Sequence, residues 1–104
     1  MSLAEAVKKV EPDDMIALIV DAEREIERRI ISLLEKLYRP HVADTADDMA
    51  IADKITKLEN ALNLAIRCRL QLEAAGRVGT NVYKIMTEII APALAEVDKA
   101  LTGL

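Results

Sequence analysis

The sequence has neither tryptophan nor phenylalanine, and its only aromatic residues are Tyr38 and Tyr83. A core therefore has to be built from Leu, Ile, Val, Ala and Met, and there is no aromatic platform on which nucleic-acid bases could stack. Positive charge is also short: 14 Lys and Arg stand against 18 Asp and Glu, and a net charge of −4 offers no general attraction to nucleic acid or to an anionic membrane. Cys68 is the only cysteine, which excludes an internal disulfide and argues against a small secreted scaffold. The longest apolar run, MIALIV at residues 15–20, is six residues long, against the roughly 20 that span a bilayer. The opening MSLAEAVKKVEPDD lacks the apolar stretch of a secretory signal. These absences lead to the expectation of a cytoplasmic protein with no nucleic-acid or membrane partner.

What is present is helical in pattern. The chain of 104 residues is 52% apolar, enough for one domain, residues 1–104, with a modest core. The breakers fall at Pro12, Pro40, Gly76, Gly79, Pro92 and Gly103. Ser2 with Glu5 fits a capping box for a short first helix ending near Glu11. Asp13 and Asp14 place acids where the dipole of a second helix favours them, and that helix reaches Tyr38 with a seam at Ile19, Ala22, Ile26, Ile30, Leu33 and Leu37. Thr45 with Asp48 caps a third, over residues 46–75, and Gly76 and Gly79 stop it. A fourth starts near Thr80 with Val82, Ile85, Met86, Ile89, Ala93, Val97 and Leu101 inward, and Pro92 bends it by displacing the Glu88 carbonyl. The predicted fold is all-α, a bundle of three long helices plus a short N-terminal one, completed by oligomerisation.

The last clause rests on MIALIV. Six consecutive apolar residues cover the whole circumference of a helix, and a small bundle has few elements to meet its far side. A second subunit is expected to cover it, with Met15, Ile16, Ile19, Val20, Ile26 and Ile30 as the interface. The alternative is that the first helix folds over the segment. The charged block that follows, residues 21–29, then sets register or selects the partner.

No catalytic, cofactor or metal site emerges. Asp21 and Glu25 share a helix face, but Glu25 precedes Arg28 by three residues and Arg29 by four, the spacing of solvated ion pairs. A di-iron bundle needs Glu three residues before His, and Tyr38 occupies that place relative to the sole histidine, His41. No Glu has another Glu three residues on, as helical nucleotide pyrophosphatases require. Asp44, Asp47, Asp48 and Asp53 lack the glycine and spacing of a calcium loop. Cys68 lies on an apolar seam between Arg67 and Arg69, and burial is expected there. Arg67, Arg69 and Arg77 suit the C-terminal end of the third helix, with contact to an acidic partner as their functional reading. GRVG at residues 76–79 is not a phosphate loop, since no Lys-Ser/Thr ending follows and no strand precedes it.

The stretch EPDDMIALIVDAEREIERRI, with the closing PALAEVDKALTGL, resembles the small helical head–tail connector (adaptor) proteins of tailed phages. That resemblance implies a virion-associated, ring-forming structural protein with no catalytic residues. The middle helix, NALNLAIRCRL, departs from it in having no aromatics. A second stretch, ITKLENALNLAIRCRL, is similar to a helix of the HEPN-type partners of minimal nucleotidyltransferases. Nuclease members carry Arg four to six residues before His, whereas Leu34, Glu35 and Lys36 stand in those places here, which leaves a non-catalytic partner subunit. The sequence thus predicts a non-enzymatic interaction protein that self-associates. The competing class is a small helical enzyme or metal-binding bundle using Asp21, Glu25 or His41.

Overall fold

The computed structural model describes residues 1–38, 45–79 and 81–103. Among these every regular element is helical, so the fold is all-α. Helix α1 (Leu3–Ala6) is followed by α2 (Pro12–Leu37) and α3 (Thr45–Val78), and the chain closes with α4 (Val82–Ile85), a π-helical turn (Met86–Ile90) and α5 (Ala91–Gly103). The two long helices α2 and α3 run antiparallel, with Glu23 opposite Arg69 and Leu33 near Leu58. The closing rod returns along α3, and α1 lies against α5. The molecule is elongated, 56 × 20 × 17 Å, because the 34 residues of α3 alone extend about 51 Å at 1.5 Å per residue.

Local chemistry explains the boundaries. In α1 the Glu5 amide donates to Ser2 Oγ at 3.2 Å and the Ser2 hydroxyl donates to Glu5 Oε1 at 3.0 Å, the expected capping box. The helix stops at Ala6, well short of Glu11, and residues 7–9 turn the chain towards α2. Its first amides have a distant partner: the Leu3 and Ala4 N–H groups donate to the two Asp98 carboxylate oxygens at 2.9 and 3.0 Å. Pro12 begins α2, where its missing N–H costs nothing. Gly76 does not end α3, since one helical glycine costs only about 1 kcal/mol against alanine. The helix instead ends at Gly79, whose φ of 70° needs a residue without Cβ. The expected Thr45 cap lies outside the described side chains, as do His41 and Asp44.

The third rod differs from the uniform, bent helix read from the sequence. Ahead of Pro92 the backbone widens into a π turn, in which the Ala91 N–H donates to the Met86 carbonyl five residues back. An extra residue is thereby accommodated at the point where proline cannot donate and would crowd the carbonyl four residues before it. Ile90 and Leu94 enter the core in place of the expected Ile89 and Ala93, while Met86 and Val97 keep their places.

The core joins Met15, Ile19 and Ile26 of α2, Leu58, Ala65, Cys68 and Leu72 of α3, Met86, Ile90, Leu94 and Val97 of the closing rod, and Ala6 and Val7 of the N-terminal segment. Burial of each large apolar side chain stabilises by about 1.5–3 kcal/mol. Part of the MIALIV circumference is met inside the chain. Met15 and Ile19 have 0% exposure, Ile16 and Leu18 pack at the edge of the same cluster, and Ala17 is exposed.

Candidate functional site

Along α3 the inward stripe Ala65, Cys68, Leu72 and Ala75 is flanked by a second one, Arg67, Gln71, Ala74 and Val78, in steps of four, three and four. On the closing rod Met86 turns inward while Ile85 and Ile89 lie on the flank. Where the two flanks meet they form an open groove of about 280 Å³ lined by Gln71, Ala74, Ala75, Val78, Ile85 and Ile89. Val78 is 74% exposed, Ile89 50% and the adjacent Leu70 50%, a concentration of large apolar side chains that a small protein seldom leaves in water. Ile89 lies within the π turn, directly before the buried Ile90. Among the described residues Gln71 is the only polar side chain in the lining. The described lining therefore holds no acid, base or nucleophile, and its chemistry is that of apolar contact.

The rim is mainly cationic. Arg67 lies at the upstream end of the α3 flank and Lys84 beside Ile85, and neither has an ion-pair partner among the described residues. Arg77 reaches Glu73 only at 3.9 Å. Among the described residues the opposing charges next to the lining are Glu73, half-buried and within reach of Arg69 and Arg77, and Glu88, exposed on the closing rod.

The residues singled out from the sequence fall into separate groups. Met15, Ile19 and Ile26 have 0% exposure in the single chain, so a second chain cannot touch them unless the bundle opens. Ile16, Val20 and Ile30 are half-buried and retain some surface. Of the three arginines, Arg69 is committed internally: its Nε donates to Glu23 Oε2 at 2.7 Å and its Nη2 to Glu23 Oε1 at 3.1 Å, with a longer bond of 3.5 Å to Glu73. This bidentate pair ties α2 to α3 and satisfies Glu23, which is only 8% exposed. The Glu23 and then Glu73 carboxylates hold the Arg69 guanidinium above its ordinary pKa. Arg67 and Arg77 remain exposed beside the groove.

Glu25 forms the intrahelical ion pairs its spacing predicts, 2.9 Å to Arg28 and 3.0 Å to Arg29. Arg28 and then Arg29 hold its carboxyl below the usual range. Arg29 also donates to the Leu101 carbonyl, tying α2 to the end of α5. Asp53 pairs with Lys57 at 3.0 Å. Cys68 is buried, and burial pushes its thiol above the ordinary value. Tyr83 donates to Glu11 Oε2 at 2.6 Å, which raises the phenol above its ordinary value and ties the start of α2 to α4. Among the described residues no three His, Cys, Asp or Glu side chains come together as a metal would need, and no helix is long and apolar enough to cross a membrane.

Sequence reasoning missed the groove. Its signal was the surplus of apolar residues off the α3 seam, Leu70, Ala74 and Val78, next to a turn that ends in Gly79. The chain matches no family model, no curated protein and no solved structure.

Proposed function

We propose that the chain is a non-enzymatic helical interaction protein that self-associates through its helical faces. The observation that carries this reading is the open apolar groove between α3 and the closing rod, with Val78 and Ile89 at least half in water and no polar lining among the described residues except Gln71. Apolar concavities of this kind are docking surfaces, because desolvating them is favourable and they position nothing for bond making or breaking. The ion pairs of the charged block support the same reading: Glu25 is occupied by Arg28 and Arg29, and Glu23 by Arg69, so neither carboxylate is open to a substrate or a metal.

Native mass by light scattering over a hundredfold concentration range tests the proposal. A mass above 11.5 kDa that grows with concentration or stays at a fixed multiple is expected, and a monomer at every concentration overturns it. A large closed ring would carry the connector-like form of the reading; a stable dimer would favour the partner-subunit form. Calorimetric titration with Mg²⁺, Mn²⁺ and Zn²⁺ separates the enzyme or metal-bundle alternative, since an interaction protein gives no stoichiometric heat.

A further inference from the structure

A second concavity lies about 20 Å along α3 from the groove, where α2 and α3 face each other. It is a pocket of about 270 Å³ lined by Arg29, Ser32, Leu33 and Lys36 of α2 and by Lys54 and Leu58 of α3. The α2 residues stand at i, i+3, i+4 and i+7 and the α3 pair at i and i+4, so each helix contributes one face. Leu58 is buried and Leu33 half-buried, which gives the pocket an apolar floor. Every charged group in its described lining is a cation, in a chain whose net charge is −4. Lys36 and Lys54 pair with no carboxylate among the described residues. Glu25 is taken by Arg28 and Arg29, and Asp53 by Lys57. Glu35 precedes Lys36 in the chain but stands about 100° round the helix from it. The dipole of α2 accounts for Lys36 in its last turn, but not for Lys54, which lies more than two turns into α3. Arg29 is held in place: its Nε donates to Glu25 at 3.0 Å and its Nη1 to the Leu101 carbonyl, while Nη2 has no partner among the described residues.

We propose that this pocket binds a phosphate dianion, free or as a small phosphate monoester, between Arg29, Lys36 and Lys54. Three cations brought together from two helices with no acid in the lining repel one another, and a dianion among them replaces that repulsion with charge-assisted hydrogen bonds. Arg29 supplies a pre-positioned N–H donor, and the two lysines supply mobile point charges that close on the ion from either helix. The Ser32 hydroxyl, on the same face of α2, adds a neutral donor. A tetrahedral oxyanion accepts from several directions at once, which suits donors on facing helices. The carbon skeleton of an ester would rest on Leu33 and Leu58. One pocket of this size takes one phosphate, and the acidic surface beyond it offers no track for a nucleic-acid backbone. Phosphate held here bridges α2 and α3, so the folded chain gains stability as its concentration rises. The pocket shares no residue with the groove, and its occupancy does not depend on self-association.

Isothermal titration calorimetry of the full-length chain with sodium phosphate at about pH 8, where phosphate is the dianion, tests the site, with sodium chloride at equal ionic strength as the reference. Phosphate is expected to give a saturable one-to-one heat and to raise the melting temperature, and chloride to do neither. Lys36→Gln and Lys54→Gln change exposed side chains, so their circular dichroism should match the parent chain. Each should weaken phosphate binding about tenfold, the loss of one charge-assisted hydrogen bond. Lys84→Gln, beside the groove, should leave it unchanged. Glycerol 3-phosphate separates the two sources of the ion: binding tighter than that of inorganic phosphate assigns the pocket to an ester, and binding no tighter assigns it to the free ion. The absence of a saturable heat from either probe overturns the proposal. So does binding that survives Lys36→Gln and Lys54→Gln unchanged, which would place the anion elsewhere on the surface.

Discussion

Asp98→Ala isolates what holds the N-terminal segment in place. Both carboxylate oxygens of Asp98 accept backbone amides at the start of α1, from Leu3 at 2.9 Å and Ala4 at 3.0 Å. A helix of four residues cannot sustain itself, because nucleation is unfavourable and short helices are marginal in water. Its docking therefore depends on this cap and on the burial of Ala6 and Val7. Losing a helix cap costs about 0.5–2 kcal/mol, and with two amides orphaned together the upper end applies. About 2 kcal/mol corresponds to a roughly thirtyfold larger population of the undocked segment. Lys8 and Lys9 lie exposed in the turn that follows, so trypsin reads that population wherever closing is faster than cleavage. The expected result is cleavage after Lys8 and Lys9 accelerated about thirtyfold, with cleavage at Arg67 and Lys84 unchanged. Asp98→Asn, which keeps one carbonyl acceptor, should fall in between. The reasoning is refuted if cleavage at Lys8 and Lys9 is unaffected, or if all sites speed up together, which would make α1 part of the global unfolding unit.

The Glu23–Arg69 pair should behave as a buried unit: Arg69→Leu strands a carboxylate that is 8% exposed and lowers the melting temperature, while the Glu23→Leu/Arg69→Leu double variant recovers most of the loss. A double variant less stable than Arg69→Leu would contradict this. Deleting Thr87 should close the π turn into regular α-helix while keeping Ile90 and Leu94 in the core, but it leaves Pro92 against the carbonyl four residues back at a cost of about 3 kcal/mol. Adding Pro92→Ala to the deletion should restore stability in a thermal melt, and the opposite order would show that proline is not the reason for the turn. Because burial pushes the Cys68 thiol up, the unfolded chain ionises first. The thiol's contribution to stability is complete below its ordinary pKa and is lost as pH rises through the raised folded value. Chemical denaturation from pH 8 upward should show that loss in the parent chain and a smaller one in Cys68→Ala, and an aromatic disulfide reagent should react with the native protein only through unfolding.

Elements set by strictly local chemistry were readable in the sequence. The α1 capping box needs only Ser2 and Glu5, the Glu25 ion pairs need only residues three and four ahead, and the α2 seam follows from apolar spacing. What escaped was whatever depends on a residue far away in the chain. The Asp98 cap on α1 joins residues 95 positions apart, and Glu23 is indistinguishable in the sequence from its solvated neighbours until α3 brings Arg69 to it. MIALIV is of the same kind, since what covers a helix's far side is set by packing and not by its own spacing: Met15 and Ile19 are buried within the chain, while Ala17 is exposed and Ile16, Leu18 and Val20 keep some surface.

The π turn connects the least legible feature of the fold to the proposed function. The turn spans residues 86–90: Met86 and Ile90 at its ends are buried, as are Leu94 and Val97 beyond it, and Ile89 within it is half exposed and lines the groove with Val78. Proline in a helix interior and an isoleucine in water are each unfavourable taken singly. Here they are neighbours: the widened turn precedes Pro92, and Ile89 within that turn lines the groove. Ile89→Asp, at a half-exposed position outside the core, should therefore keep the bundle while placing a charge in the groove. If the groove is the self-association surface, that variant should be well folded and weakened in assembly. An unchanged native mass would place self-association on another face.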